Sequence, residues 1–198
     1  MRRRPRRRRR PWKWWCRAEV LLGNNNNNTT EGKIVGLDMY LKASRYVSGW
    51  EFVGADERAR YQKLIEVSGL KPEQLDKGSP SGSIELVVGY WRKANAIHDW
   101  FVKNVQDGLD KCEPHRVERE QLEALKQACQ AVLAAANPET KVVDLAKAQE
   151  ILPTREGFFF GGTEYDEWYL RDMQDTIKII DRVLTLGEEW AFTYRSSW

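Results

Sequence analysis

The groups able to do chemistry are densest between Tyr90 and Phe101, where Arg92, Lys93, Asn95, His98 and Asp99 are interleaved with Trp91, Trp100 and Ile97. Read as a helix, steps of four, three and four residues put Trp91, Asn95, His98 and Val102 on one ridge, so Asn95 and His98 project at the margin of an apolar face. That is where a ligand cleft beside a core is lined. His98 is one of two histidines in the chain and the one inside a strong element. It is therefore the candidate general base, because imidazole exchanges protons near neutral pH. Arg92 and Lys93 are candidates to hold an anion. A plainer reading stands beside this one: Asn95 and His98 are hydrogen-bonded boundary residues, and Arg92, Asp99 and Lys103 form an ordinary charged face with an Asp99 to Lys103 pair.

A second run, Phe158-Phe159-Phe160-Gly161-Gly162-Thr163, leads into a helix start with Tyr165 and Asp166. Amides at a helix N-terminus attract anions, and paired glycines let a ligand approach the backbone closely. The alternative is a buried strand of three phenylalanines ending at a tight turn. Asp166, Glu167 and Asp172 add acidity that suits the helix dipole and opposes an anion there. No phosphate loop or dinucleotide fingerprint is present, nor a recognisable nucleophile triad. Cys112-x-x-His115 with Cys129 supplies three soft ligands, one short of a closed zinc site. No metal and no cofactor is assigned. Three cysteines without a secretory leader imply a reducing, cytoplasmic setting.

The elements that must position these residues follow from periodicity. Leu37, Met39 and Leu41 alternate as in a half-buried strand, and residues 55 to 68 form a short helix closed by Gly69. Residues 77 to 83 are a loop, and Ile84 to Tyr90 is a strand or the lead-in to a helix. Trp91 to Val105 and Val117 to Ala136 are helices with one apolar face each, and a short helix falls near Val143 to Glu150. Thr163-x-x-Asp166 resembles a capping box opening a helix to about Leu186. Trp190, Phe192 and Tyr194 alternate as a final strand. The pattern predicts an α+β single domain, a small, mainly antiparallel sheet with about four helices packed on it.

Of the 198 residues, 32 are Lys or Arg and 29 Asp or Glu, but the formal +3 joins two unlike segments. Residues 1 to 34 carry eleven basic residues against two acids, +9, which leaves 21 against 27, −6, for residues 35 to 198. Arg2, Arg3, Arg4, Arg6, Arg7, Arg8, Arg9 and Arg10, with Trp12, Trp14 and Trp15, would bind nucleic acid if this arm is expressed. Otherwise it is an unfolded, self-repelling extension, separated from the 35 to 198 domain by the Asn24 to Asn28 tract. A third reading makes Val35 the initiator, because Glu31-Gly32-Lys33 must be encoded by a purine-rich stretch like a ribosome-binding site. No segment is apolar for the length of a membrane span.

Gly36-Leu37-Asp38-Met39-Tyr40-Leu41, Tyr46 to Trp50, Tyr90 to Phe101, Leu152 to Gly161, Tyr165-Asp166-Glu167 and the terminal Tyr194 to Trp198 resemble a family of small uncharacterised proteins of tailed bacteriophages and prophages. The resemblance covers 36 to 198, and it implies a start at position 35 and a bacterial host cytoplasm. It implies no activity. The function expected is a phage accessory protein, a binding module acting on a host factor. One alternative is a small-molecule or nucleotide-handling enzyme with a site between the Asn95/His98 helix and the Gly161-Gly162 turn, with Asp166 orienting. The other is nucleic-acid binding through the arm. Partners are thus a host protein or small ligand; composition leaves the oligomeric state undetermined.

Overall fold

The computed structural model describes residues 36 to 137, 140 and 142 to 198. The arginines from Arg2 to Arg10, the asparagine tract and Val35 lie outside the described residues. Strand β1, Asp38–Ser48, carries the alternation read from the sequence, with Met39, Leu41 and Ala43 fully buried and Tyr40, Lys42 and Ser44 half-buried on the opposite face. β1 is central. β2, Ser81–Arg92, pairs antiparallel along one edge and β4, Ala191–Ser197, along the other, with Phe192, Tyr194 and Ser196 turned inward. The three-residue β3, His115–Val117, completes the order β2-β1-β4-β3. It is too short to show a period, which is why sequence reading misses it.

The expected α+β architecture is the one observed, with five α-helices among the described residues. Helix α1, Ala55–Ser68, has the expected bounds and ends on Gly69 at φ 68°, the left-handed cap that glycine adopts without strain. It covers the far end of β1, where Tyr61 lies against Gly49 and Leu64 against Gly82. Under that cover β1 runs on to Ser48. The remaining helices are α2, Asn95–Asn104; α3, Arg119–Ala135; α4, Leu145–Ile151; and α5, Glu167–Leu184. On α5, Tyr169, Met173, Thr176, Ile180 and Val183 recur at three- and four-residue steps and are buried. They meet Leu122, Leu125, Cys129 and Val132 of α3 in the common core. The indole N–H of Trp91 donates to Thr176 Oγ1 at 2.9 Å and ties β2 to α5. Among the described residues, no helix is long and apolar enough to cross a membrane.

Several local expectations fail, among them the loop over residues 77 to 83, which gives way to β2 at Ser81, and a helix start at Val117, which lies in β3. Trp91 and Arg92 belong to β2, not to the following helix, because they continue the ladder opposite Met39 and Asp38. The chain then turns at Lys93, φ 59°, and α2 begins only at Asn95, so Trp91 shares no helical ridge with Asn95 and His98. Asp166, not Thr163, is the N-cap of α5, its carboxylate accepting from the N–H groups of Trp168 and Tyr169. Residues 158 to 160 form a turn, not a buried strand: Phe158 is 93% exposed and Phe160 alone of the three enters the core.

Gly89 faces Leu41 beside the β1/β2 bulge, and a Cβ there would lie 2.7 Å from Ile179 Cγ2 and 3.2 Å from Leu41 Cβ. Overpacking of this kind costs about 1–3 kcal/mol. Gly89→Ala should lower the urea midpoint accordingly, whereas Gly54→Ala, with open space at its Cβ, should leave it unchanged.

Candidate functional site

Helix α2 is buried on nearly every side, from Asn95 to Asp99 and again at Phe101 and Val102. Its polar side chains must therefore find partners inside the protein. Asn95 Nδ2 donates to the carbonyls of Phe160, 3.3 Å, and Gly162, 2.6 Å, and Asn95 Oδ1 accepts from Arg155 N–H at 3.2 Å. One side chain thus clips α2 to the 155–162 segment. His98 is completely buried. Its Nε2 lies 3.0 Å from Asp110 Oδ2 and its Nδ1 2.8 Å from the Tyr194 hydroxyl. A carboxylate only accepts, so Nε2 carries a hydrogen and the neutral ring takes the Tyr194 O–H on Nδ1. Phe160 packs edge-on against the imidazole, with centroids 5.0 Å apart.

Asp110 is also met by the Trp198 indole N–H at 3.3 Å and by Arg155 Nη2 at 3.5 Å. Burial pushes its carboxyl pKa up, but the hydrogen bonds from His98 and Trp198 and the charge of Arg155 together hold it below the usual value. Burial, followed by the charge of Asp110, raises the Tyr194 phenol well above its ordinary value. Asp99 pairs with Lys103 at 2.6 Å, as the plainer sequence reading expects, and also with Arg155 at 3.2 Å. His98 is therefore enclosed in a polar chain running from Tyr194 to Asp110, with both ring nitrogens engaged.

A cavity of about 320 Å³ opens beside this chain, between the β2–α2 junction, the 161–162 turn and the first turns of α5. Of the residues singled out by sequence, it brings together Arg92, Lys93, Asn95, Gly161, Gly162 and Asp166. His98 does not line it. Nor do Thr163 and Tyr165: the Thr163 carbonyl accepts from Thr154 Oγ1 at 3.0 Å and the Tyr165 hydroxyl from Thr154 N–H at 3.1 Å, so both brace the wall behind it. Lys93 and Gly161 face each other in left-handed conformations, φ 59° and 90°, and a Cβ on Gly161 would lie 3.2 Å from Lys93 Cβ. Glycine is needed there for both reasons. A lysine held in this region costs about 1 kcal/mol or more, a strain that concentrates at functional sites.

No family model, curated protein or solved structure matches the chain. The chemistry of the cavity must come from its own groups, among them Trp168, which sequence reading passes over, and Asp172, which it reads only as acidity suiting the helix dipole. Trp168, 63% exposed, presents its indole at the rim, with the Arg171 guanidinium carbon 5.6 Å from the ring centre. Asp172 faces the cavity, and among the described residues its carboxylate accepts no hydrogen bond and forms no ion pair, although its main-chain carbonyl accepts from Thr176 Oγ1 at 2.7 Å. Burial, reinforced by Asp175 and Asp166 against the opposing Arg171, pushes its pKa to about 7. The available signal for Asp172 was its place on α5, three residues after Tyr169 and next to Met173, a carboxylate beside a core stripe. A larger groove of about 490 Å³ between α3 and α5 shares Trp168, but there Arg171 and Lys178 are both already paired with Asp175.

The two carboxylates give opposite pH signatures. Asp172 has a raised folded pKa, so its contribution to stability is fully present below the ordinary carboxylate value and is lost as pH rises to about 7. Asp172→Asn should therefore unfold at higher urea than the parent at pH 8, by on the order of 1 kcal/mol after screening, and the gain should vanish in acid. Asp110 has a lowered folded pKa, so its contribution is present above the unfolded value and lost as pH falls through the folded one. Asp110→Asn should flatten that acid limb in a pH series of thermal melts.

Proposed function

We propose that this chain is an accessory protein of a tailed bacteriophage or prophage that works by binding a host factor in the bacterial cytoplasm, with the cavity at the β2–α2 junction as its recognition site. The phage setting rests on the motifs described above, among them Gly36 to Leu41, Tyr90 to Phe101 and Tyr194 to Trp198. One observation carries the choice of binding over catalysis: the cavity gathers charged groups of both signs and an exposed indole, while His98 is sealed behind Phe160 with both nitrogens engaged. General-base work requires reach to the substrate proton as well as a suitable pKa. His98 lacks that reach.

The second reading, a small-molecule or nucleotide-handling enzyme at the same place, is favoured by Asp172, whose pKa near 7 is the value a general acid or base needs. It moves the catalytic role from His98 to Asp172.

The two fractions of a bacterial host extract separate these ideas from their alternatives. The small-molecule fraction should raise the melting temperature of the full chain, and Trp168→Ala and Lys93→Ala should each remove most of the rise. A shift given only by the macromolecular fraction, or one indifferent to both substitutions, would sink the cavity as the recognition site. Chemical turnover of the stabilising compound that stops with Asp172→Asn would favour the enzyme.

A further inference from the structure

The cavity contains more hydrogen-bonding residues than it offers to a ligand. The Asn95 amide is committed to Phe160, Gly162 and Arg155, the Thr154 hydroxyl to Thr163, and the Asp166 carboxylate to the start of α5. What remains for recognition is charge. On one side stand Lys93, which forms no ion pair among the described residues, and Arg92, held at 3.8 Å from Asp38. On the other stand Asp172 and Glu164, neither of them hydrogen-bonded or ion-paired through its carboxylate among the described residues. A simple anion here would meet three acidic residues, and a simple cation would meet two basic ones. Only a ligand carrying both charges is complementary to the whole surface.

Size and shape narrow the class. A volume of about 320 Å³ is at the small end of ligand sites. The Trp168 indole at the rim supplies an apolar face for a short side chain and a π-face for an ammonium.

We propose that the cavity binds a free amino acid or a close zwitterionic relative, its carboxylate held by Lys93 and Arg92, its ammonium by Asp172, and its side chain resting against Trp168. This rests on the reading of the cavity as the recognition site and names the class of ligand it takes. Asp172 must be ionised to hold the ammonium. The groups acting on it are Asp175 and Arg171 of its own helix, Asp166 at the N-cap and Cys129 of α3, and the titratable groups sharing the cavity with it are Glu164, Tyr169, Arg92 and Lys93. With its pKa at about 7, affinity rises between roughly pH 6 and pH 8 and then levels off.

Calorimetric titration of the full chain with L-phenylalanine, N-acetyl-L-phenylalanine and L-phenylalaninamide tests the assignment, with tryptophan fluorescence as a second readout. The amino acid should bind, and each derivative, lacking one charge, should bind about tenfold more weakly or worse, the loss of one good ionic contact. Lys93→Ala should weaken the amino acid to a similar degree, and Asp172→Asn should weaken it and abolish the rise with pH. Equal binding of parent and derivatives, a pH dependence that survives Asp172→Asn, or no binding of the amino acid at millimolar concentration overturns the zwitterion assignment. The cavity as a recognition site falls separately, when stabilisation by host extract is indifferent to Trp168→Ala and Lys93→Ala.

Discussion

A buried histidine and a buried asparagine on one helix must be given hydrogen-bond partners, and in this protein the partners come from well-separated segments of the chain. Tyr194 of the last strand and Asp110 of the loop after α2 take the two nitrogens of His98, while Phe160, Gly162 and Arg155 take the amide of Asn95. An unmet polar group at such depth costs about 1–3 kcal/mol, more than a typical satisfied hydrogen bond contributes. The 155–162 segment, which has no secondary structure of its own, is held in one place by that requirement. Its far end becomes the wall of the cavity.

The same requirement separates structural from recognition polarity. Asn95, His98, Thr154 and Asp166 look chemically able and are spent on the fold. Lys93, Arg92, Glu164 and Asp172 are left facing a shared space. The strained backbone lies there too: Lys93 keeps φ 59° because its N–H donates to the Leu37 carbonyl at 2.8 Å and its own carbonyl receives the N–H of Asn95 at 2.9 Å. Packing around β1 and α2 supports that conformation. A lysine is thereby aimed at the cavity from the point where the chain leaves the sheet and enters the helix.

Elements with long, regular apolar patterns were legible in advance. The α1 bounds, the alternation of β1 and β4 and the stripe of α5 follow from periods of two and 3.6 and from Gly69 as a stop. The junction at residues 91 to 95 was not. Trp91 is compatible with either period, and the β-ladder opposite Met39 claims it. The Phe158 to Phe160 run misled for a related reason: apolar residues in sequence do not declare which of them the core has room for, and only Phe160 finds a place, against His98.

The amino-acid sequence by itself determined the α+β class, the antiparallel sheet, the charge split of +9 for residues 1 to 34 against −6 for residues 35 to 198, and two of the segments that line the cavity. These are local or additive properties, set by periodicity, propensity and formal charge. Tertiary structure alone decided that His98 is enclosed between Tyr194 and Asp110, and that the Asp172 carboxylate shares a cavity with Lys93 and has no hydrogen bond or ion pair among the described residues. The physical reason is that pairing is a relation between distant residues: whether a polar side chain is committed or available depends on what the folded chain brings within about 3 Å of it. Spacing along one element cannot report that.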